Sequence, residues 1–266
     1  MQRRQRQEAV VQLLAAHGYL SIKELADRLG VSDMTIRRDM RALEERRMVE
    51  VVHGGGQIRS AGQELAFSAK RLLHQSEKAA IAKVAWSLVE PGMVVGFSAG
   101  TTTWMLAREC PVIQGLTVVT NSTNVALVLS QQGASDILLS GGNFRTPSDA
   151  LVGPLAEQAI RQLKMDILFL GVHGIVGDAG ISTPNLLEAS IDRVLMERAD
   201  RVVCVFDHSK WGIEALARIA TVDELNLLIT DDGDSLQEIQ RLQETGAEVL
   251  VAHTDVTASV PTREGE

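Results

Sequence analysis

Ser21-Ile22-Lys23-Glu24-Leu25-Ala26-Asp27-Arg28-Leu29-Gly30-Val31-Ser32-Asp33-Met34-Thr35-Ile36-Arg37-Arg38-Asp39-Met40-Arg41-Ala42-Leu43 decides how the chain begins to fold. Ser21 and Glu24 form a capping box, in which the hydroxyl caps the backbone and the glutamate reaches back to it. Ile22, Leu25, Ala26 and Leu29 then share one helical face, and Gly30 stops the helix. Ser32 caps another helix at once, and Ile36, Met40 and Leu43 give it an inward stripe at i, i+4 and i+7. Two short helices joined through Gly30-Val31-Ser32 make a helix-turn-helix, whose second helix presents its N-terminal residues to the DNA major groove. Upstream, Ala9, Val10, Leu13, Leu14 and Ala16 mark an earlier helix from Arg3 to His17. Downstream, Met48 to Ile58 reads as a strand, a glycine tip and a second strand, the hairpin of a winged helix.

At about 100° per residue, the face opposite Ile36 and Met40 carries Met34, Arg38 and Arg41, with Thr35 and Arg37 on its flanks. With Ser32, these are the side chains expected at DNA. His53 and the backbone N–H groups of Gly54 and Gly55 are expected to touch phosphate and fix orientation without reading sequence. The competing assignment is a solvated face on which Asp39, Glu44 and Glu45 pair the arginines.

Charge separates the two parts of the chain. The 266 residues carry a net charge of −8, yet residues 1–59 hold eleven Arg or Lys against eight Asp or Glu, leaving an acidic remainder. A basic module on an acidic body is the asymmetry of a nucleic-acid-binding head attached to something else. With 45% hydrophobic residues the chain has material for a sizeable core. No stretch approaches the roughly 18 apolar residues of a membrane span, and the N-terminus lacks a signal-peptide core, so a cytoplasmic location is expected. Cys110 and Cys204 are too few for a disulfide framework or a thiolate metal site, and Cys204 reads as core. Five Phe, three Trp and one Tyr count against single-strand binding by base stacking.

Gly30 to Glu44 followed by His53-Gly54-Gly55 resembles the DNA-binding signature of the DeoR family of bacterial transcriptional regulators. The resemblance implies that Thr35 to Asp39 lie on the recognition helix. The chain departs from the family where Arg47 replaces a usual Gly and Glu50 a wing Arg, which implies a weaker electrostatic contribution from the wing.

Residues 60–75 lack a clear apolar period and are read as a linker between a winged helix-turn-helix at 1–59 and a second domain at 76–266. In the latter, apolar runs recur at Met93–Ser98, Thr117–Thr120, Asp136–Ser140, Asp166–Gly171, Arg201–Phe206, Asn226–Thr230 and Glu248–Ala252, separated by helical stretches. Such runs predict an α/β, Rossmann-like and mostly parallel sheet covered on both faces, with ligands beyond the C-terminal strand ends.

The loop Ala99-Gly100-Thr101-Thr102-Thr103 follows the first run and opens a helix. Gly permits close backbone approach, the hydroxyls donate, and the helix N-terminus adds free N–H groups and a positive dipole end, which together suit a phosphate. The loop is neither a Walker A nor a dinucleotide motif. Other strand-end loops add Asn121 and Ser122, Gly141, Gly142 and Arg145, His173, and Lys210, with Glu188 opening a later helix. Converging on one edge, they suit a phosphorylated polyol. No His, Asp or Glu cluster shows metal-ligand spacing along the sequence, and neither metal nor cofactor is expected.

These loops are similar to the effector domain of the same family, which implies the fold of ribose-5-phosphate isomerase and a sensor of sugar phosphates. Many members carry Asp where this chain has Ser98, which implies a different hydroxyl pattern or anionic group in the effector. The rival reading is a sugar-phosphate isomerase or deaminase, which needs a carboxylate base near the substrate carbon. Resemblance to the isomerases places their carboxylate loop at Leu170-Gly171-Val172-His173, where no carboxylate remains. The reading reached is a repressor that is not an enzyme, binds double-stranded operator DNA as a dimer or tetramer, and is released by an anionic sugar.

Overall fold

The computed structural model describes residues 1–254 apart from residues 47, 59–64, 135, 178 and 234. The N-terminal part runs α1 (Arg3–His17), β1 (Tyr19–Ser21), α2 (Ile22–Leu29), α3 (Asp33–Glu45), β2 (Glu50–Val52) and β3 (Gly55–Gln57). Both helix starts follow their sequence signals. Glu24 N donates to Ser21 Oγ at 3.2 Å and Ser21 N donates to Glu24 Oε2 at 2.8 Å, while Ser32 Oγ accepts from Thr35 N at 3.3 Å. Gly30 closes α2 in the left-handed region, where a Cβ would be strained. The hairpin β2–β3 gains a third strand that periodicity did not reveal: β1 pairs antiparallel with β3, so the sheet order is β1-β3-β2. Three residues are too short a run to show a period.

Val10, Leu14, Leu25, Ile36, Met40 and Leu43 bury together between the three helices. Asp39 lies among them, 1% exposed, and does not pair the outward arginines of its own helix. Its carboxylate accepts from Arg6 Nε at 2.5 Å and from Gln7 Nε2 at 3.1 Å, which pins α3 to α1.

The second part continues with α4 (Phe67–Lys70), α5 (Gln75–Trp86), β4 (Val94–Phe97), α6 (Thr101–Arg108), β5 (Thr117–Thr120), α7 (Thr123–Gln131) and β6 (Asp136–Leu139). Then come β7 (Asn143–Arg145), β8 (Ala150–Val152), α8 (Pro154–Arg161), β9 (Met165–Gly171), β10 (Gly174–Val176), β11 (Gly180–Thr183), α9 (Leu186–Glu197) and β12 (Ala199–Val205). β13 (Ala217–Ala220), β14 (Leu227–Asp231), α10 (Leu236–Glu244) and β15 (Val249–Ala252) complete it. Seven strands form one sheet in the order β15-β14-β12-β9-β4-β5-β6, every neighbouring pair parallel. They are the seven apolar runs of the sequence. Alternate residues feed opposite faces: Val203 and Val205 join Val95, Phe97 and Phe169 under α5, α6 and α7, while Val202, Cys204 and Phe206 join Leu168 and Leu170 under α8 and α9. Trp86, Phe97 and Phe169 pack with ring centroids 5.6–6.4 Å apart.

Part of the stretch read as a linker, residues 60–64, lies outside the described residues. Its second half carries structure: Ala69 and Leu72 are buried in the same cluster as Val10 and Leu43, and Phe67 meets Trp104 of α6 edge-to-face at 6.1 Å. α4 is thus wedged between the N-terminal helices and the parallel-sheet part.

Asp39→Ala removes the shared acceptor of Arg6 and Gln7 and leaves Arg6 without its buried partner. Breaking a buried pair costs roughly 3–5 kcal/mol. The low end is expected because Arg6 keeps 14% of its side-chain surface in solvent. Hydrogen exchange of the full chain should show amides of α1 and α3 opening on the order of a hundredfold more often. Unchanged exchange there would show that apolar packing alone seats α3.

Candidate functional site

On α3, Ser32 and Met34 are exposed at its N-terminal end and Arg37, Arg38 and Arg41 project into solvent. None of the three arginines forms an ion pair among the described residues, since Asp39 is taken by Arg6 and Glu44 accepts from Val51 N at 3.0 Å. Thr35 is half-buried, its hydroxyl 2.9 Å from Ser32 Oγ. The wing turns at His53-Gly54, both exposed, with Gly54 at φ +80°.

Gly55 corrects the expectation of a phosphate contact. It is buried in the central strand β3, between β1 and β2, and a Cβ there would meet Ser21 Cα at 2.8 Å. A Cβ on Gly56 would collide with the methyl end of Met40. The later glycines of this run therefore let the wing lie close against its neighbours, and the exposed tip is confined to His53 and Gly54.

The parallel sheet reverses its winding between β4 and β9. Chain connections run outward from β4 through β5 to β6 on one side and from β9 through β12 to β14 and β15 on the other. Loops beyond such a switch point diverge and leave a crevice at the C-terminal strand ends. A cleft opens there, lined by Gly100, Thr101 and Thr102 after β4, by Gly171, Val172 and His173 after β9, and by Glu188 and Lys210. Thus Gly100, Thr101, Thr102, His173, Glu188 and Lys210 of the expected effector set are brought together.

The other expected residues hold the loops instead. Ser98, fully buried, accepts from Gly171 N at 2.9 Å and ties the end of β4 to that of β9. Thr103 Oγ1 donates back to Ser98 O at 2.7 Å. Asn121 accepts from Ala99 N at 2.9 Å and donates to Leu151 O at 3.2 Å, and Ser122 caps α7. Gly142 lies against β8 and α8, where a Cβ would meet Val152 O at 2.7 Å, and Gly141 stands beside it with φ +67°. Arg145 does not line the cleft and donates to Glu188 Oε1 at 2.8 Å. Ser98, Thr103, Asn121 and Ser122 are polar because they satisfy backbone groups, a need that strand-end loops share with ligand sites.

Glu188 is the centre of a knot. Beyond Arg145, it accepts from Thr183 Oγ1 at 2.9 Å and from Ser148 Oγ, so three elements close around one carboxylate. One turn further along α9 stands Asp192, 7% exposed and lining the cleft, which sequence reasoning missed. Burial pushes its carboxyl well above the usual range, and the charge of Glu188 adds to the shift. Its spacing four residues after Glu188 was the available signal. Phe67 and Lys70 of α4 also line the cleft, and were missed because they fall in the stretch read as a linker.

No side chain caps the N-terminus of α6, so its first-turn N–H groups face the crevice beside Gly171. Lys210 makes no ion pair among the described residues, though its charge acts on Asp207. Together with Lys70 and His173 these groups give the cleft donors suited to an anion, and Glu188 and Asp192 give it carboxyl groups suited to hydroxyls.

Among the described residues no helix is long and apolar enough to cross a membrane. A profile of the DeoR-like helix-turn-helix domain matches residues 6–61, and one of the DeoR C terminal sensor domain matches residues 73–232. The HTH-type transcriptional regulator GlpR of Haloferax volcanii is 38% identical over 240 residues, covering 89% of this chain and 94% of its own. The glycerol-3-phosphate regulon repressor of Escherichia coli K12 is 29% identical over 231 residues, covering 87% of this chain and 92% of its own. A solved ribose 5-phosphate isomerase A from Methanocaldococcus jannaschii overlaps at a TM-score of 0.38 and 18% identity, over 50% of this chain and 53% of its own. Both the winged helix-turn-helix and the domain behind it match in full sequence order, and the chain belongs to the DeoR family of transcriptional regulators.

Proposed function

We propose that this regulator is a repressor that leaves its operator when an anionic, phosphorylated sugar occupies the cleft at the β4/β9 switch point. One observation carries the reading: the N-terminus of α6, without a side-chain cap, and Lys210, which makes no ion pair among the described residues, share a cleft with Glu188 and Asp192. A phosphate group takes helix N–H groups and an ammonium, and sugar hydroxyls take carboxyls. The name of the Escherichia coli relative, a repressor of a glycerol-3-phosphate regulon, supports a phosphorylated effector class.

An isomerase reading finds less support. Its base would have to be a free carboxylate, whereas Glu188 already accepts from Arg145, Ser148 and Thr183, and burial favours the neutral form of Asp192. An acid kept neutral donates a hydrogen bond to a hydroxyl oxygen, which binds a sugar without abstracting its proton.

On the DNA side, Arg37, Arg38 and Arg41 reach base edges and phosphates while His53 and Gly54 meet the backbone. The chain acts as a dimer or tetramer, because a helix-turn-helix reads half-sites about 34–36 Å apart. α4 supplies the coupling. Phe67 and Lys70 line the cleft while Ala69 and Leu72 sit in the core of the DNA-binding part, so a ligand that shifts α4 biases the placement of that part.

Three measurements check this reading. Arg37→Ala or Arg38→Ala should weaken operator binding by roughly 1–3 kcal/mol, with the salt slope reduced where a phosphate contact is lost. Equal affinity of both variants and wild type would place recognition elsewhere. Lys210→Ala should keep its operator yet need roughly ten- to hundredfold more sugar phosphate for release, the equivalent of about 1.5–3 kcal/mol. Titrating a panel of sugar phosphates and their neutral parents into protein–operator complexes reads this directly, and equally effective neutral sugars would discard the anion site. Asp192 has a folded-state pKa above its unfolded one, so its contribution to stability is complete below the ordinary aspartate range and is lost as pH rises toward the folded value. Asp192→Asn mimics the protonated acid and should flatten that loss, removing a slope of up to about 1.4 kcal/mol per pH unit from urea-unfolding data. Parallel pH profiles of variant and wild type would show that Asp192 stays ionised.

A further inference from the structure

Beside the cleft, at the start of α5, the structure gathers His74, Glu77 and His208 so that one possible ligand atom of each lies within 4.8 Å of the other two. The first two sit one helical turn apart, and the third lies on the loop after β12 that also carries Lys210. All three are half-buried, within reach of an ion from solvent.

His208 is held as metal-binding histidines are held. Its Nδ1 lies 2.6 Å from Asp231 Oδ2, and its backbone N donates to Asp231 Oδ1 at 2.7 Å. A carboxylate only accepts, so Nδ1 carries the hydrogen and Nε2 keeps its lone pair for a ligand. Gly233 closes over the same ring, where a Cβ would meet His208 Cγ at 2.5 Å, so the imidazole is fixed by packing as well. His74 is also constrained. It adopts φ +50° and ψ +46°, a left-handed conformation that is costly for a histidine and is found where surrounding structure enforces it. The two rings meet edge-to-face with 4.7 Å between centroids, which brings the two imidazoles to the same spot.

The charge around the cluster admits a cation. Asp207 and Asp231 lie behind it and Glu77 is part of it; of the two ammonium groups that act on Asp207, Lys78 is committed to that carboxylate and to backbone carbonyls, and the charge of Lys210 is likewise balanced against Asp207. Two imidazoles and one carboxylate select a first-row transition ion such as zinc over magnesium or calcium, which take oxygen ligands.

We propose that His74, Glu77 and His208 form a three-ligand site for a divalent transition metal, zinc in type, with the fourth position open to water. The ion joins the start of α5 to the loop after β12. His74 follows directly on Leu72 and Leu73, which pack against the DNA-binding part, so the metal fixes the joint between that part and the effector cleft. The assignment is independent of the effector's identity.

The test uses the full chain freed of metal by chelator and dialysis. Calorimetric titration with zinc chloride should show one site per chain, and cobalt(II) should give visible d–d absorption with the intensity of a four-coordinate N/O site. His74→Asn removes a ligand while keeping a residue that tolerates the left-handed backbone, and Glu77→Gln removes the carboxylate charge. Both should fold, as circular dichroism will show, and bind zinc roughly tenfold or more weakly with the cobalt bands lost. Zinc binding of equal strength in both variants would place the ion elsewhere, for instance at His253 and Asp232, and would overturn the site. Absence of zinc binding or cobalt bands in the wild type would overturn it as well, whatever the outcome of the sugar-phosphate titrations.

Discussion

A buried ammonium must find all its partners inside the protein, and Lys78 finds them at one joint. It is 2% exposed, and its Nζ donates to the carbonyls of Lys70 at 3.0 Å and Leu73 at 2.7 Å while standing 3.6 Å from Asp207 Oδ2. Burial pulls its pKa down to about 8 against the opposing pull of Asp207. Burial alone would raise the Asp207 carboxyl, yet Lys210 and Lys78 hold it well below the usual carboxylate range. One cation therefore anchors the end of α4 and the start of α5 to the end of β12. Loss of either partner would strand a buried charge, the costliest kind of break in a protein interior. The cleft, the proposed metal site and the packing of α4 against the DNA-binding part all stand on that anchor.

Much of this fold was legible because its elements obey local rules. The capping box at Ser21 and Glu24 and the cap at Ser32 act within three residues, and both hold in the structure. The seven strands were legible because a parallel strand covered on both faces must be apolar throughout. What failed was everything set by distant partners. Asp39 looks like a salt-bridge partner for its own helix until α1 brings Arg6 to it. Residues 66–73 show no period because α4 is a single turn with neighbours on more than one side: Phe67 faces Trp104, while Ala69 and Leu72 face the N-terminal core.

The cleft was legible in outline and not in membership, for a physical reason. A strand-end loop needs polar side chains twice over, for ligands and for its own unpaired backbone groups, and composition alone does not separate the two uses. Ser98, Thr103 and Asn121 serve the second: they fasten the β4 loop to β9, to its own carbonyls and to β8. Thr101 and Thr102 instead line the cleft, where α6 starts at Thr101 without a side-chain cap. The acidic wall follows the same logic. Glu188 spends its charge on Arg145, which lowers the local negative potential, and Asp192 then sits beside it in a burial that favours the neutral acid. Two carboxyl groups stand side by side in this cleft because one is paired with Arg145 and burial favours the neutral form of the other.

Coupling between the cleft and the DNA-binding surface needs an element that touches both, and α4 is short enough to respond as one piece. Four residues make a single turn with no interior, so its position is fixed by what it packs on. Phe67 N donates to Pro147 O at 2.9 Å, next to Ser148 of the Glu188 knot, and Arg71 lies 5.8 Å over the ring of Trp104 on α6. In the proposed function, a ligand drawn against the N-terminus of α6 or against Ser148 would change both supports of α4 together. On the other side, Ala69 and Leu72 share a close-packed cluster with Leu43 of α3, and interiors of that density transmit a displacement because they have no slack to absorb it. In the proposed coupling, Arg37, Arg38 and Arg41 would move with α3, the helix that carries them. If release works in the proposed way, the free energy available for it is the difference in ligand affinity between two placements of α4, and no larger.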